Sequence, residues 1–296
     1  MIKIGKYTID VINLGNFALD GGAMFGVVPK NLWSKSYQGT DELNRIPLAT
    51  RVMLIRGEGK IILVDTGNGK KMPQKLADIY KIDLDNDSLN IGLANFGLKK
   101  SDITDVILTH LHFDHCGGAT EIINDKLVPT FSNAKYYVQK SHYNWALNPS
   151  LKDRASFVKD DYEPLIQEGI LEFTDGEGEL FEGIELLNVN GHTKDLQMVR
   201  IFDKSIIGQP SIDNVTYNSL IYPADLMPTS AHLPIPYVMG YDNYPLTTIE
   251  EKQKYIPKIF DDKTIICFEH DAHRQACLVG KNEKGYFVES EVVITE

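Results

Sequence analysis

The side chains with the clearest chemical potential lie within residues 109–115, whose sequence is THLHFDH. This stretch contains three histidines and one aspartate, and it follows a short apolar run that predicts a buried strand. In an extended segment His110 and His112 project from the same side, so their imidazoles can converge on one ion. Asp114 and His115 then turn the other way and can hold a second ion nearby. Neutral imidazole and carboxylate are ligands that suit zinc, iron, cobalt or manganese.

A histidine-rich loop could also be ordinary polar surface. Four ligand-type residues at H-x-H-x-D-H spacing, placed at the end of a strand, are typical of a metal site instead. Cys116 lies beside His115 and could be mistaken for a further ligand. The ligand pattern is complete without this thiol, so we interpret Cys116 as a small packed residue.

Composition and charge limit the classes of protein to consider. The 296 residues are 43% hydrophobic and 24% charged, which is ordinary for a globular protein with a large core. The net charge of −11 argues against nucleic acid or an anionic membrane as a partner, because the field of the protein would repel a polyanion. Three cysteines without C-x-x-C spacing favour a reducing compartment. The chain also lacks an apolar leader and a long apolar run, so we expect a soluble, cytoplasmic protein.

The elements that must position these residues are strands that end in polar loops. Apolar runs predict strands at residues 7–14, 52–55, 60–64, 105–108, 135–138, 170–173, 184–189, 197–202, 220–222 and 264–268. Helical patterning is present at residues 74–80, 88–97, 141–147, 155–168 and 249–260. Residues 20–26 (DGGAMFG) indicate a glycine-rich loop. Strand pairs followed by helices, twice over, indicate two facing sheets with helices outside.

The order of the motifs resembles the metallo-β-lactamase superfamily. The H-x-H-x-D-H stretch is followed by Gly191-His192-Thr193, by Ala224-Asp225 and by His270, in the order and spacing of that family. Residues 20–36 (DGGAMFGVVPKNLWSKS) and 224–232 (ADLMPTSAH) resemble a branch of the quorum-quenching lactonases, which open N-acyl homoserine lactones. The resemblance implies an α/β fold, the αββα four-layer sandwich, with a dinuclear metal site at the edge of the two sheets.

The resemblance also implies a role for each ligand. The first metal would be held by His110, His112 and His192, the second by Asp114, His115 and His270, and the Asp225 carboxylate would bridge both. We expect two divalent ions per chain, zinc first, with iron, cobalt or manganese as alternatives. His192 taken alone could be a hydrogen-bonded loop histidine, and His273 competes with His270 as a ligand. Asp65, in an Asp-Thr-Gly triplet, would orient a ligand imidazole; an aspartic protease would need a second such triplet.

The reaction that the resemblance implies is hydrolysis of the ester bond within a lactone ring. A hydroxide shared by the two ions would attack the carbonyl carbon, and one ion would polarise the carbonyl oxygen. Asp114 would then protonate the leaving alkoxide. Some lactonases of the group carry a tyrosine three residues after the bridging aspartate, where this chain has Pro228. His232 is our candidate to replace that tyrosine in catalysis, and Tyr222 or Tyr237 could also do so.

The substrate pocket is expected to involve the N-terminal part of the chain. We expect a single hydrolase domain over residues 1–296, in which residues 1–50 form an extension that covers the active site or a dimer interface. Met24, Phe25 and Trp33 could fold over the metal cleft and grip an acyl chain, with His273 in the pocket wall. The same apolar side chains could equally bury against a second subunit in a homodimer.

Other functions stay open at this point. An organophosphate or other phosphoester hydrolase could use the same pair of metals. A thioesterase of the glyoxalase II type has a similar loop, but the short stretch after His270 leaves little room for the helical domain that grips glutathione. A binding protein that had lost the chemistry would show a broken ligand set, whereas all seven positions are filled here. The sequence therefore favours a metal-dependent hydrolase that acts on a small-molecule lactone.

Overall fold

The computed structural model describes residues 1–205 and 217–295, and most strands in these ranges belong to two large sheets. The strands of the first half are β1 (Ile2–Ile4), β2 (Tyr7–Asp20), β3 (Arg45–Gly57), β4 (Lys60–Val64), β5 (Asp105–Ile107), β6 (Thr120–Ile123), β7 (Lys126–Pro129) and β8 (Lys135–Gln139). Those of the second half are β9 (Leu171–Thr174), β10 (Gly178–Phe181), β11 (Ile184–Val189), β12 (Leu196–Phe202), β13 (Ser219–Tyr222), β14 (Ile265–Cys267), β15 (Ala276–Asn282) and β16 (Gly285–Val292). The helices are α1 (Gly21–Phe25), α2 (Lys30–Ser36), α3 (Gln74–Tyr80), α4 (Ser88–Asn95), α5 (Phe113–Cys116), α6 (Lys140–Leu147), α7 (Glu163–Gln167) and α8 (Pro245–Asp261). Within the described ranges, no helix combines the length and apolar character that crossing a bilayer requires.

The two sheets face each other and enclose the main apolar core. The first sheet has the order β1-β2-β3-β4-β5-β8-β9, and the second has the order β10-β11-β12-β13-β14-β15-β16. Side chains from both sheets, such as Ile55 and Ile201, lie in one buried cluster. Helices α4, α6 and α7 pack on the outer face of the first sheet, and α8 packs on the second. The αββα sandwich that was predicted from the sequence is therefore confirmed.

The direction of the strands brings four loops to one edge of the sandwich. Strand β4 pairs in parallel with β5, and β13 pairs in parallel with β14. Strand β11 is antiparallel to β12, which is antiparallel to β13, so β11, β13 and β14 end on the same side. Strands β5 and β14 are buried along their whole length, as expected for parallel strands covered on both faces. The polar residues that follow β5, β11, β13 and β14 therefore converge.

Two buried polar side chains connect the sheets near this edge. Gln197 of β12 donates from its side-chain amide to the carbonyl oxygen of Leu108, at 2.8 Å. Arg51 of β3 donates to the carbonyl oxygens of Phe268 and Asp271, at 2.5 and 3.0 Å. Because these donors have partners, they can be buried without the cost of an unmade hydrogen bond. They hold the loops after β5 and β14 at a fixed separation.

Two segments differ from the structure predicted for them. Residues 20–26, predicted as a loop, contain the short helix α1, which begins because the Asp20 carboxylate accepts from the Ala23 N–H at 2.7 Å. Residues 155–168, predicted as one helix, form two turns of 3₁₀ helix followed by α7. Pro164 lies in the first turn of α7, where a missing N–H is tolerated, and it cannot continue a helix that begins earlier.

Lys252 of α8 is fully buried, and it has no carboxylate partner in the part of the chain that the structure describes. Its Nζ donates to the carbonyl oxygens of Pro234 and Tyr237, both at 2.8 Å. Burial lowers the pKa of Lys252 to about 7, although the Asp242 carboxylate acts in the other direction. These hydrogen bonds attach the loop that precedes α8 to the body of the helix.

We expect Lys252 to make the stability of the protein depend on pH. The unfolded chain holds the lysine proton up to its ordinary pKa of 10.5, whereas the folded protein releases it near pH 7. The free energy of unfolding of the wild type minus that of Lys252→Met should therefore rise between pH 7 and pH 9.5. Urea unfolding of both proteins at several pH values measures this difference. A difference that stays constant with pH would show that Lys252 keeps an ordinary pKa in the folded protein.

Candidate metal centre

Four loops deliver the seven predicted ligands to one place. The loop after β5 and the first turn of α5 carry four of them, and the loops after β11, β13 and β14 carry one each. All seven side chains are buried: His110, His112, Asp114, His115, His192, Asp225 and His270. The structure brings them together as two adjacent groups of donor atoms.

The first group contains His110, His112, His192 and Asp225, whose donor atoms all lie within 4.8 Å of one another. Nδ1 of His112 lies 3.1 Å from Nε2 of His110 and 3.2 Å from Nε2 of His192. Nε2 of His192 lies 3.1 Å from Oδ2 of Asp225. Donor atoms around a tetrahedral ion with bonds of roughly 2.1 Å are about 3.4 Å apart. The spacing in this group is therefore that of atoms arranged around one cation.

The second group contains Asp114, His115 and His270, also within 4.8 Å of one another. The Nε2 atoms of the two histidines are 3.2 Å apart. Oδ2 of Asp114 lies 3.9 Å from Nε2 of His115 and 3.7 Å from Nε2 of His270. This is a second, separate set of donors on the other side of Asp225.

Asp225 faces both groups with different oxygen atoms. Its Oδ2 belongs to the first group, whereas its Oδ1 lies 3.6 Å from Nε2 of His115 and 3.4 Å from Nε2 of His270. Oδ1 is buried and has no hydrogen-bond partner in the described part of the chain. A buried carboxylate oxygen without a partner is costly, and a cation between these donors would satisfy it. The residues present therefore fit divalent metal ions.

The protonation states also suit metal binding. Burial, followed by the neighbouring imidazoles, holds the pKa of His110 and His112 well below the usual value, so both rings are neutral. Burial alone would raise the pKa of Asp225, but His192 and His115 outweigh it and hold that pKa well below its usual range. In the first group, His110 and His112 therefore present neutral imidazoles and Asp225 an ionised carboxylate, which are the forms that bind metals. Burial lowers the pKa of His115, His192 and His270, but neighbouring carboxylates outweigh it and raise the pKa of all three, so a cation that binds to them would release protons.

The carboxylate of Asp65, which was predicted to orient an imidazole, lies against His115. Its Oδ2 is 3.1 Å from Nδ1 of His115, and its Oδ1 accepts from the Thr109 N–H at 2.7 Å. A second carboxyl group was missed: Oε2 of Glu269 is 2.9 Å from the same Nδ1. Burial raises the pKa of Glu269 to about 8; His115 lowers it, and Asp65 raises it further. Adjacency to His270 was the one sequence signal for Glu269.

Asp242 was also missed, and it orients His192. Its Oδ1 lies 3.1 Å from Nδ1 of His192, and its Oδ2 accepts from the Met239 N–H at 3.2 Å. His270 has a backbone partner, because its Nδ1 lies 2.9 Å from the carbonyl oxygen of Ala49. Asp242 is 50 positions away from His192 along the chain, so no local pattern connects them.

The cleft over the ligands has a mixed lining. Met24 contributes to it, as predicted, together with residues that sequence reasoning did not single out: Leu19, Leu48, Tyr80, Phe113, Lys152, Asp153, Ser156, Met239 and Tyr241. Tyr80 stacks on Phe113, with ring centroids 5.2 Å apart. The lining thus combines apolar and aromatic side chains with the polar residues Lys152, Asp153 and Ser156.

Three residues that were predicted to line the substrate pocket do not line the cleft over the ligands. Phe25 and Trp33 stack on each other with centroids 5.1 Å apart, and both are fully buried beneath the cleft rather than lining it. His273 is exposed, packs against Tyr37 and lies 3.2 Å from the Gln38 carbonyl oxygen. Apolar composition predicted that Phe25 and Trp33 would be covered, but it could not show that the protein's own core covers them.

The catalytic role predicted for His232 does not agree with its surroundings. Its Nδ1 lies 2.8 Å from Oγ1 of Thr229, and its Nε2 lies 2.8 Å from the Met24 carbonyl oxygen. Burial lowers its pKa to about 4, so the ring is neutral and both nitrogens are already used. Tyr222 is similarly engaged, because its hydroxyl donates to the Arg51 carbonyl oxygen at 2.7 Å. The structure assigns His232 to supporting Met24 rather than to the reaction.

Comparison with known proteins identifies the family. The model of the metallo-β-lactamase superfamily matches residues 45–205, so the chain belongs to this superfamily and is a metal-dependent hydrolase. It is 26% identical over 239 residues to the N-acyl homoserine lactonase AiiA of Bacillus thuringiensis subsp. kurstaki, covering 75% of this chain and 81% of the relative. A crystal structure of a probable metal-dependent hydrolase from Staphylococcus aureus superposes with a TM-score of 0.83 at 29% identity, covering 99% of this chain and 100% of the other. AidC, a dizinc quorum-quenching lactonase, shares the fold with a TM-score of 0.74 at 21% identity, covering 99% and 97% of the two chains.

We expect Asp242→Asn to weaken metal binding. Asparagine keeps the shape of the side chain but loses the charge that holds the proton on Nδ1 of His192. Loss of such an outer partner costs about 10- to 100-fold in metal affinity. Competition with a chelator of known affinity, followed by elemental analysis, measures the change. Asp261→Asn, at the exposed end of α8, is the matched control, and equal affinities in the two variants would contradict the role of Asp242.

Proposed function

We propose that this chain is a dinuclear metal-dependent lactonase, with N-acyl homoserine lactones as preferred substrates. The observation that carries the proposal is the position of Asp225, whose two oxygens face two separate groups of imidazole and carboxylate donors. The relatives named N-acyl homoserine lactonase support the choice of substrate.

Two ions, most simply zinc, would bind with Asp225 as the shared ligand. The first would be held by His110, His112 and His192, and the second by Asp114, His115 and His270. When bound, the two ions supply Lewis acidity, which lowers the pKa of water from about 15.7 towards 7 and polarises a carbonyl group.

Asp114 is our candidate for moving the proton. Its Oδ2 faces His115 and His270, which leaves Oδ1 to take a proton from the water that adds to the carbonyl carbon. The ring C–O bond then breaks, and the same oxygen returns the proton to the departing alkoxide. One lactone and one water thus give one hydroxy acid, with no net change at Asp114.

The cleft and the charge of the protein suit a neutral amphiphile. Leu19, Met24, Leu48, Phe113 and Met239 form an apolar wall beside the ligands. The net charge of −11 would disfavour a polyanionic substrate approaching this cleft. A lactone would place its ring over the metal centre and its acyl chain along this wall.

The direct test compares substrate classes on one metal-loaded preparation. We expect elemental analysis to give two ions per chain, and kcat/KM for homoserine lactones to exceed that for an aryl phosphotriester or a thioester by about tenfold or more. Efficiency should rise with acyl length, because each buried methylene adds up to about 0.8 kcal/mol. Efficient phosphotriester turnover without lactone opening would make the chain a phosphoester hydrolase, and preference for the thioester would indicate the glyoxalase II type.

The role of Asp114 can be tested with Asp114→Asn. We expect kcat to fall by about 10²-fold or more, with a smaller change in KM, because asparagine cannot carry the proton. Metal content is measured on the same sample, with Asp261→Asn as the control. Activity that falls only in proportion to lost metal would show that Asp114 acts solely as a ligand.

A further inference from the structure

Tyr241 lines the metal cleft with a hydroxyl group that has no hydrogen-bond partner among residues 1–205 and 217–295. Tyr241 is 36% exposed and lines the cleft together with Asp114, His192 and Asp225. Burial, and then Tyr80, Asp20 and Asp114, raise its pKa. A phenol in this position keeps its proton at neutral pH and can donate it in a hydrogen bond.

The backbone around Tyr241 is held from several directions. Nζ of Lys152 donates to the carbonyl oxygens of Gly240 and Tyr241, at 2.8 and 2.6 Å. The Gly240 N–H donates to the carbonyl oxygen of Ala23 at 2.7 Å, which attaches the loop to helix α1. A Cβ on Gly240 would lie 3.1 Å from that oxygen, so the approach is close.

The neighbours of Tyr241 connect this loop to the metal ligands. Asp242 orients His192 at 3.1 Å, and the Asn243 N–H donates to the His192 carbonyl oxygen at 3.1 Å. Lys252 holds the earlier part of the loop through two carbonyl oxygens. The backbone of Tyr241 therefore belongs to the same hydrogen-bonded loop that positions a ligand, which favours a preorganised group.

Other residues that could donate a hydrogen bond to the carbonyl oxygen of a substrate are less suitable than Tyr241. His232 and Tyr222 already use their polar atoms in buried hydrogen bonds, and position 228 is a proline. Tyr80 also lines the cleft, but its ring is stacked on Phe113 at the end of the short helix α3. Its backbone lacks the attachment to the ligand loops that Tyr241 has.

We infer that Tyr241 is a catalytic residue that donates a hydrogen bond from its hydroxyl to the carbonyl oxygen of the substrate. This inference rests on the proposed function only in requiring a substrate with an ester carbonyl. Negative charge develops on the carbonyl oxygen as water adds, and the hydrogen bond strengthens with that charge. Tyr241 keeps its proton, and no bond to it forms or breaks.

The test is Tyr241→Phe, which removes one oxygen atom and keeps the ring. Loss of a single donor to a developing oxyanion costs about 10²–10³-fold in kcat, and we expect kcat to fall in this range with KM changed much less. Metal content and the urea midpoint should match the wild type, because the hydroxyl has no hydrogen-bond partner among the described residues. Tyr244→Phe, which changes a half-exposed side chain outside the cleft, is the matched control.

Tyr80→Phe tests the rival phenol and should cost less in kcat than Tyr241→Phe. All variants are assayed on homoserine lactones and on a simple aryl ester. If the wild-type protein opens no lactone, the lactonase proposal fails, and the aryl ester still tests Tyr241. The Tyr241 inference is overturned if Tyr241→Phe matches the wild type on every ester that is hydrolysed, if only KM changes, or if the loss in kcat appears in Tyr80→Phe instead.

Discussion

Removal of seven ionisable side chains from water at one edge of the sandwich is the constraint on which the rest of the structure depends. Burying a polar group without a partner costs roughly 1–3 kcal/mol, and more for a charge. Each ligand therefore needs a second contact, and the surrounding groups provide several of these contacts: Thr109, Asp65, Glu269, Asp242 and the Ala49 carbonyl. Oδ1 of Asp225 and Nε2 of His112 have no hydrogen-bond partner among the described residues, and Oδ1 of Asp225 faces His115 and His270. The folded protein therefore needs partners for these buried groups, and bound metal ions would supply the partners that the protein does not.

The histidine loop was predictable because its chemistry is local. His110, His112, Asp114 and His115 lie on one strand end and one helical turn, so spacing alone groups them. The groups that orient the ligands were not predictable in this way. Asp242 meets His192 across 50 positions and Asp65 meets His115 across the same separation, and only the folded sheets bring them together. Asp65 was predicted from the resemblance to the family, whereas that resemblance was not used to predict Asp242 or Glu269.

Many strands and helices could be predicted from the pattern of apolar residues in the sequence. The elements that were not predicted, or were predicted wrongly, have physical causes. Strands covered on both faces, such as β5 and β14, leave apolar runs that are visible in the sequence. The hairpin of β15 and β16 was not predicted, because β16 is an edge strand with mostly exposed or half-exposed side chains and a shifted register. Phe25 and Trp33 were recognised as covered side chains, but the partner that covers them is the protein's own core.

The order of the ligands along the chain has a consequence for how the protein matures. His115 and His270 lie 155 positions apart, and β14, which leads to His270, pairs with β13. A ribosome must therefore release the chain as far as His270 before the second group of donors is complete. A nascent chain that ends earlier presents a partial set of imidazoles, which holds a metal weakly and exchanges it readily. Selection of the correct ion is thus postponed until His270 has joined the earlier ligands, when the folded sandwich rather than a short peptide competes for the metal supply of the cell.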